Sequence, residues 1–185
     1  MIAVPRVFEP SCRQRVFRRL LDAAARPGTL AELGPELEGA TAWLAVLSVF
    51  VDRAVTFADP QELLADRERA FLPHRSAHPG SAAWLLLDGR RAPPADIAPE
   101  LGSLEEPERG ATLVLRVEGL GRGRPLLLAG PGIDGVRAIA IDGLDPAWIA
   151  ARASWCELFP RGVDLVLADR EQALVLPRTT RIREA

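Results

Sequence analysis

The sequence predicts an α/β protein, a mixed β-sheet flanked by helices. Three observations predict it. Helical periodicity dominates the first third, apolar runs of strand length dominate the last third, and Gly and Pro punctuate the gaps between runs. One amphipathic helical stretch interrupts the late strands, so the pattern is a sheet covered by helices and not a strict βαβ repeat.

The elements follow in order. Ser11 reads as a helix N-cap, and Arg13 to Arg26 places Val16, Phe17, Leu20, Leu21 and Ala24 on one side before Pro27-Gly28 stops the helix. Thr41 to Phe50 is apolar nearly all round and predicts a buried helix. Ala54 to Ala58 predicts a short strand. Asp59-Pro60 predicts a helix start with Leu63 and Leu64 inward. Ala82 to Leu87 reads as a buried strand running into the turn Asp88-Gly89, and Pro94 to Leu101 as a short helix. Strands are expected at Thr112–Val117, Leu126–Ala129, Val136–Ile141, Val163–Leu167 and Leu174–Leu176. A helix is expected from Asp145-Pro146 to Ser154, and a hairpin turn at Asp169–Gln172. The stretch Arg90 to Gly110, rich in Pro and Gly, is the candidate mobile loop.

Composition narrows the function. The 185 residues suit one domain over 1–185, with 48% hydrophobic and 26% charged residues. A formal net charge of −2 without a basic stripe disfavours nucleic-acid binding. No apolar run approaches bilayer length, and the N-terminus lacks a signal-like apolar region, so a cytoplasmic protein is expected. Cys12 and Cys156 lie far apart without metal-type spacing, which predicts free thiols. All 23 basic residues are arginines. A chain with no lysine can form neither an internal aldimine with pyridoxal phosphate nor a Walker A loop.

Candidate chemistry is sparse. His74 and His78 are four apart, but Pro73 and Pro79 bracket them and no H-E-x-x-H pattern follows, so no metal site is expected; His74 alone remains a candidate acid/base or hydrogen-bonding residue. Gly119 to Arg124 reads as a flexible hairpin turn carrying two solvated arginines. Gly130 to Gly135 is either an anion-binding nest or a plain tight turn. Arg178-Thr179-Thr180-Arg181 has two readings: guanidinium forks binding a phosphate or carboxylate, or an edge-strand continuation salt-bridged to Asp164 or Glu157. No G-x-S-x-G elbow surrounds any serine, and the residues assemble no recognisable catalytic set, so none is assigned a catalytic role.

An ordered series of short motifs adds to this. Phe17-Arg18-Arg19-Leu20-Leu21-Asp22-Ala23 … Arg26-Pro27-Gly28, Gly110-Ala111-Thr112-Leu113-Val114, Gly130-Pro131-Gly132-Ile133, Phe159-Pro160-Arg161-Gly162-Val163-Asp164 and Leu176-Pro177-Arg178-Thr179-Thr180 resemble the PhnH subunit of the bacterial carbon–phosphorus lyase system, over essentially the whole chain. His74 also falls where that family commonly carries a histidine. The resemblance implies a reduced pyridoxal-phosphate-dependent-transferase-like fold without the cofactor, a homodimer, and membership of a multi-subunit core complex. With partner subunits that system displaces adenine from MgATP by an alkylphosphonate, giving ribose 1-phosphonate 5-triphosphate. The expectation is therefore an accessory subunit with no cofactor of its own and no direct small-molecule ligand assigned. Arg161, Asp164, Arg178, Thr179, Thr180 and His74 are its candidate anion-binding or interface residues. The rival expectation is a stand-alone anion- or nucleotide-binding module.

Overall fold

Alternation decides the architecture. In the apolar runs Trp84–Asp88, Thr112–Arg116 and Asp164–Ala168, residues 86, 114, 166 and 168 enter one core, while 85, 87, 113, 115, 165 and 167 enter another. A strand buried on both faces needs a layer on each side. A computed structural model describing residues 4–185 supplies those layers.

The central layer has seven strands: β1 (Leu30–Glu32), β2 (Thr56–Ala58), β3 (Arg75–Ser76), β4 (Trp84–Asp88), β5 (Thr112–Arg116), β8 (Asp164–Ala168) and β9 (Gln172–Leu176), in the order β1-β9-β8-β5-β4-β2-β3. From β8 to β3 neighbours run parallel, whereas β9 runs antiparallel to both β8 and β1. One face is covered by α1 (Pro10–Ala25) and α3 (Ala42–Phe50). The other is covered by α5 (Ala147–Trp155) and by a second, three-stranded sheet of β6 (Gly119–Ala129), β7 (Arg137–Asp142) and β10 (Arg181–Glu184), ordered β10-β6-β7. Two short helices, α2 (Gly34–Leu37) and α4 (Asp66–Phe71), are the remaining α-helices among the described residues.

Several elements stand where the pattern placed them. Helix α3 opens at Thr41, whose Oγ1 accepts a hydrogen bond from the Leu44 amide at 3.4 Å. Asp169 forms the β8–β9 turn, its Oδ1 accepting from the amides of Glu171 (2.9 Å) and Gln172 (2.7 Å). Both cysteines are free thiols.

Others moved, each for a local reason. Helix α1 starts one residue before Ser11, with Glu9 at the N-cap position and Pro10 in the first turn, a position where its missing amide costs nothing. Its buried stripe is Cys12, Val16, Leu20 and Ala23; Phe17 and Leu21, expected inward, are 42% and 56% exposed. No helix begins at Asp59. Its carboxylate is fully buried and accepts from the Leu63 and Leu64 amides (2.8 and 3.1 Å) and from Arg69 (2.8 Å), while Glu62 takes a left-handed φ of 53°. That closes a turn, and the helix waits until Asp66. Residues 94 to 101 are irregular: beyond one turn at Pro94–Ile97, the Glu100 and Leu101 carbonyls accept from the amides of Ala111 (2.7 Å) and Gly162 (2.9 Å) on the sheet side. Gly119–Arg124 is no hairpin turn but the bulged start of the eleven-residue β6, shifted in register against β7 between Leu120 and Arg124. The true β6–β7 turn is the Gly130–Gly135 stretch.

Among the described residues no helix is long and apolar enough to cross a membrane.

Candidate functional site

The parallel strands give the sheet two chemically distinct edges. Asp164 is the first residue of β8 and Thr112 the first of β5, so most of the sequence-derived candidates gather at the edge where these strands begin.

There Asp164 and Arg178 form the closest pair. Arg178 Nη2 donates to Asp164 Oδ2 at 2.6 Å, and the Arg178 amide donates to Oδ1 at 2.6 Å. The same guanidinium donates through Nη1 to the Pro107 carbonyl at 2.5 Å and through Nη2 to the Gly110 carbonyl at 3.4 Å. Arg161 Nε donates to the Gly102 carbonyl at 3.2 Å, and the Gly162 amide to Leu101 at 2.9 Å. Both arginines therefore fasten the irregular 89–111 connection onto the sheet. Of the two partners considered for Arg178, Asp164 is the one it meets. The pair neutralises itself, and what remains beside it is a shallow cleft of about 370 Å³ lined by Pro107, Phe159, Pro160, Asp164, Pro177 and Arg178.

Thr179 is exposed, whereas Thr180 is buried with its hydroxyl unpartnered. Arg181 begins β10 on the surface. His74 is elsewhere. It precedes β3, four strand spacings from β8, roughly 19 Å at the usual separation. Its Nδ1–H donates to the Leu72 carbonyl at 2.7 Å and its ring edge meets Phe57 at 5.2 Å between centroids, which leaves Nε2 towards Ser76 Oγ at 3.4 Å. His78 is used locally, its Nδ1 accepting from the Gly80 amide at 3.2 Å. Among the described residues no group of three or more His, Cys, Asp or Glu side chains could hold a metal ion.

Two arginines escaped the reading of the sequence. Arg152 on α5 is only 4% exposed; its Nη2 donates to the Pro177 carbonyl at 2.7 Å and its Nε has no partner. Burial holds this guanidinium below its ordinary pKa. The signal was its place four residues after the buried Trp148, on the inward face of the helix. Arg116 ends the middle strand β5, two residues after the buried Val114 and so on the helix-covered face. Its guanidinium lies 4.4 Å from the centre of the Trp43 ring.

Comparison with known proteins now bears on the chain as a whole. Residues 9–183 match the family described as bacterial phosphonate metabolism protein (PhnH). The chain belongs to the PhnH family. It is 41% identical over 177 residues to a putative C-P lyase subunit protein, HtxG, of Stutzerimonas stutzeri, covering 96% of this chain and 89% of that one. It is 35% identical over 188 residues to the alpha-D-ribose 1-methylphosphonate 5-triphosphate synthase subunit PhnH of Rhizobium meliloti (strain 1021), covering 95% and 91%. The five motifs of the PhnH resemblance thus lie within a match spanning nearly the whole chain. Two of them, Phe159–Asp164 and Leu176–Thr180, meet in space at the Asp164–Arg178 brace.

Proposed function

We propose that the chain is an accessory subunit of a carbon–phosphorus lyase core complex. In this reading it is required, with partner subunits, for displacing adenine from MgATP by an alkylphosphonate to give ribose 1-phosphonate 5-triphosphate. The observation that carries the proposal is near-full-length similarity to two proteins named as subunits, one of a C-P lyase and one of a ribose methylphosphonate triphosphate synthase. Attaching a phosphonate oxygen at an anomeric carbon needs a proton for the departing base and stabilisation of a cationic carbon. In this proposal the partner chains supply both.

Three finer readings belong with it. A large, mostly parallel sheet with helices on both faces, in a chain without lysine, supports a reduced pyridoxal-phosphate-transferase-like fold that has dispensed with the cofactor. The exposed Phe17 and Leu21 on α1 support self-association into a homodimer. A cytoplasmic location follows from the intracellular substrate MgATP.

Reconstitution tests the proposal. Partner subunits incubated with MgATP and methylphosphonate should release adenine only when this chain is added, and the chain alone should release none. Release by the chain alone, or by partners without it, overturns the assignment.

A further inference from the structure

The parallel strands β2, β4, β5 and β8 all end at the edge opposite the Asp164–Arg178 brace. Each carries a charged residue there: Asp59 just after β2, Asp88 at the end of β4, Arg116 at the end of β5 and Asp169 just after β8. The three carboxylates are already satisfied. Asp59 is held by two amides and Arg69. Asp88 receives Arg90 through Nε at 2.7 Å and Nη2 at 2.9 Å. Asp169 caps its own turn and accepts the Leu120 amide at 3.0 Å.

Arg116 is the exception. Among the described residues its guanidinium has no ion-pair or hydrogen-bond partner, and its Nε is buried with none. Its registered neighbours are Asp88 on β4, both of whose carboxylate oxygens Arg90 occupies, and Ala168 on β8, which brings only a methyl group. The cation–π contact with Trp43 holds the guanidinium in place while its N–H groups have no protein acceptor, a fork matched to a planar or tetrahedral oxyanion. Trp43 is also the second residue of α3, so the partly positive end of that helix adjoins the same cation. Asp88, opposite in register, feels the charge of Arg116, but Arg90 holds both of its oxygens, so the Arg116 N–H groups remain open to an anion. In open sheets of this kind, ligands bind at the carboxyl ends of the parallel strands.

We propose that Arg116, in cation–π contact with Trp43, anchors an oxyanion-binding site at the carboxyl edge of the central strand, taking the phosphate, phosphonate or carboxylate group of a small ligand. The site lies at the opposite edge from Arg178, whose fork is occupied. It is independent of the assembly reading, because it concerns the isolated chain.

Calorimetric titration of the full chain at low ionic strength with inorganic phosphate, methylphosphonate and acetate tests it. One saturable site is expected, weakened roughly 10- to 100-fold in Arg116→Gln and by a smaller factor in Arg116→Lys, which keeps the charge and loses the fork. Arg53→Gln, at an exposed arginine ahead of β2, should leave binding unchanged. Tighter binding of phosphate and methylphosphonate than acetate assigns a tetrahedral ligand, and the reverse order a carboxylate. No saturable binding of any of the three, or equal binding by a folded Arg116→Gln, overturns the proposal. Should that variant fail to fold, the Arg116 Nε–H resonance of the wild-type chain decides: it must shift on titration with phosphate or acetate, and a resonance unmoved by both is refutation.

Discussion

Replacing Arg178 with methionine asks whether this guanidinium serves architecture. The substitution keeps much of the aliphatic stem and removes the hydrogen bonds to Asp164, Pro107 and Gly110. Breaking a buried ion pair costs about 3–5 kcal/mol, but Asp164 remains 30% exposed against 13% for Arg178, so water recovers part of that cost. The carbonyls of Pro107 and Gly110 lose a charged donor, worth roughly 1.5–3 kcal/mol for one good bond. Weighing these, the expected loss is about 2–4 kcal/mol, which at a typical slope shifts the urea midpoint by roughly 1–2 M. A cycle with Asp164→Asn isolates the pair: asparagine retains Oδ1 for the Arg178 amide, so the coupling reports the side chains, at about 1–2 kcal/mol. Limited proteolysis should also begin cutting within residues 100–110, the segment the arginine fastens. A loss below about 0.5 kcal/mol, within the range of ordinary surface substitutions, would refute the brace.

The other predictions rest on single contacts. Asp59→Ala removes a fully buried carboxylate that organises three donors, and should cost about 2–4 kcal/mol by chemical denaturation. Arg90, through its side-chain hydrogen bonds, holds the Asp88 carboxyl below the usual range against the opposing effect of burial. That stability is present above the unfolded value of ~3.9 and lost as pH falls through the lower folded value, so Arg90→Met should weaken this component of acid sensitivity in a stability–pH profile, the residue-90 amide and the charge of Arg116 retaining the rest. Burial pushes the Cys12 thiol up, and Cys156 is half-buried. Ellman titration of the native chain should therefore label Cys156 first, and Cys12 at the rate of unfolding.

Legibility in the sequence followed the range of the forces involved. Helix α3 and strands β4, β5, β8 and β9 were readable because an apolar run, a cap or a turn residue declares each one locally. The turn at Asp59 was misread because its carboxylate satisfies amides and an arginine inside the fold, so a good helix-start pair closed a turn instead. Strand β10 was invisible as a run, since Arg181–Glu184 is mostly exposed and exists by pairing with β6. The candidate residues divided in the same way. Arg161, Asp164 and Arg178 were legible as polar groups at run ends, but their common task of fastening the 89–111 connection was not. Arg116 looked like an ordinary strand end, and only the packing of α3 put Trp43 beneath it.

By itself the sequence determined the class of fold, the absence of a lysine side-chain amine for an internal aldimine and the ordered motifs that resemble the PhnH family. The first two follow from period-two or near-period-four burial and from composition, and the motifs from an ordered resemblance, all of them legible along the chain. Tertiary structure alone decided which arginines are spent on partners and that Arg116, packed on Trp43, is not. A guanidinium is charged wherever it sits, and only the groups that the fold brings within hydrogen-bond reach determine what that charge does.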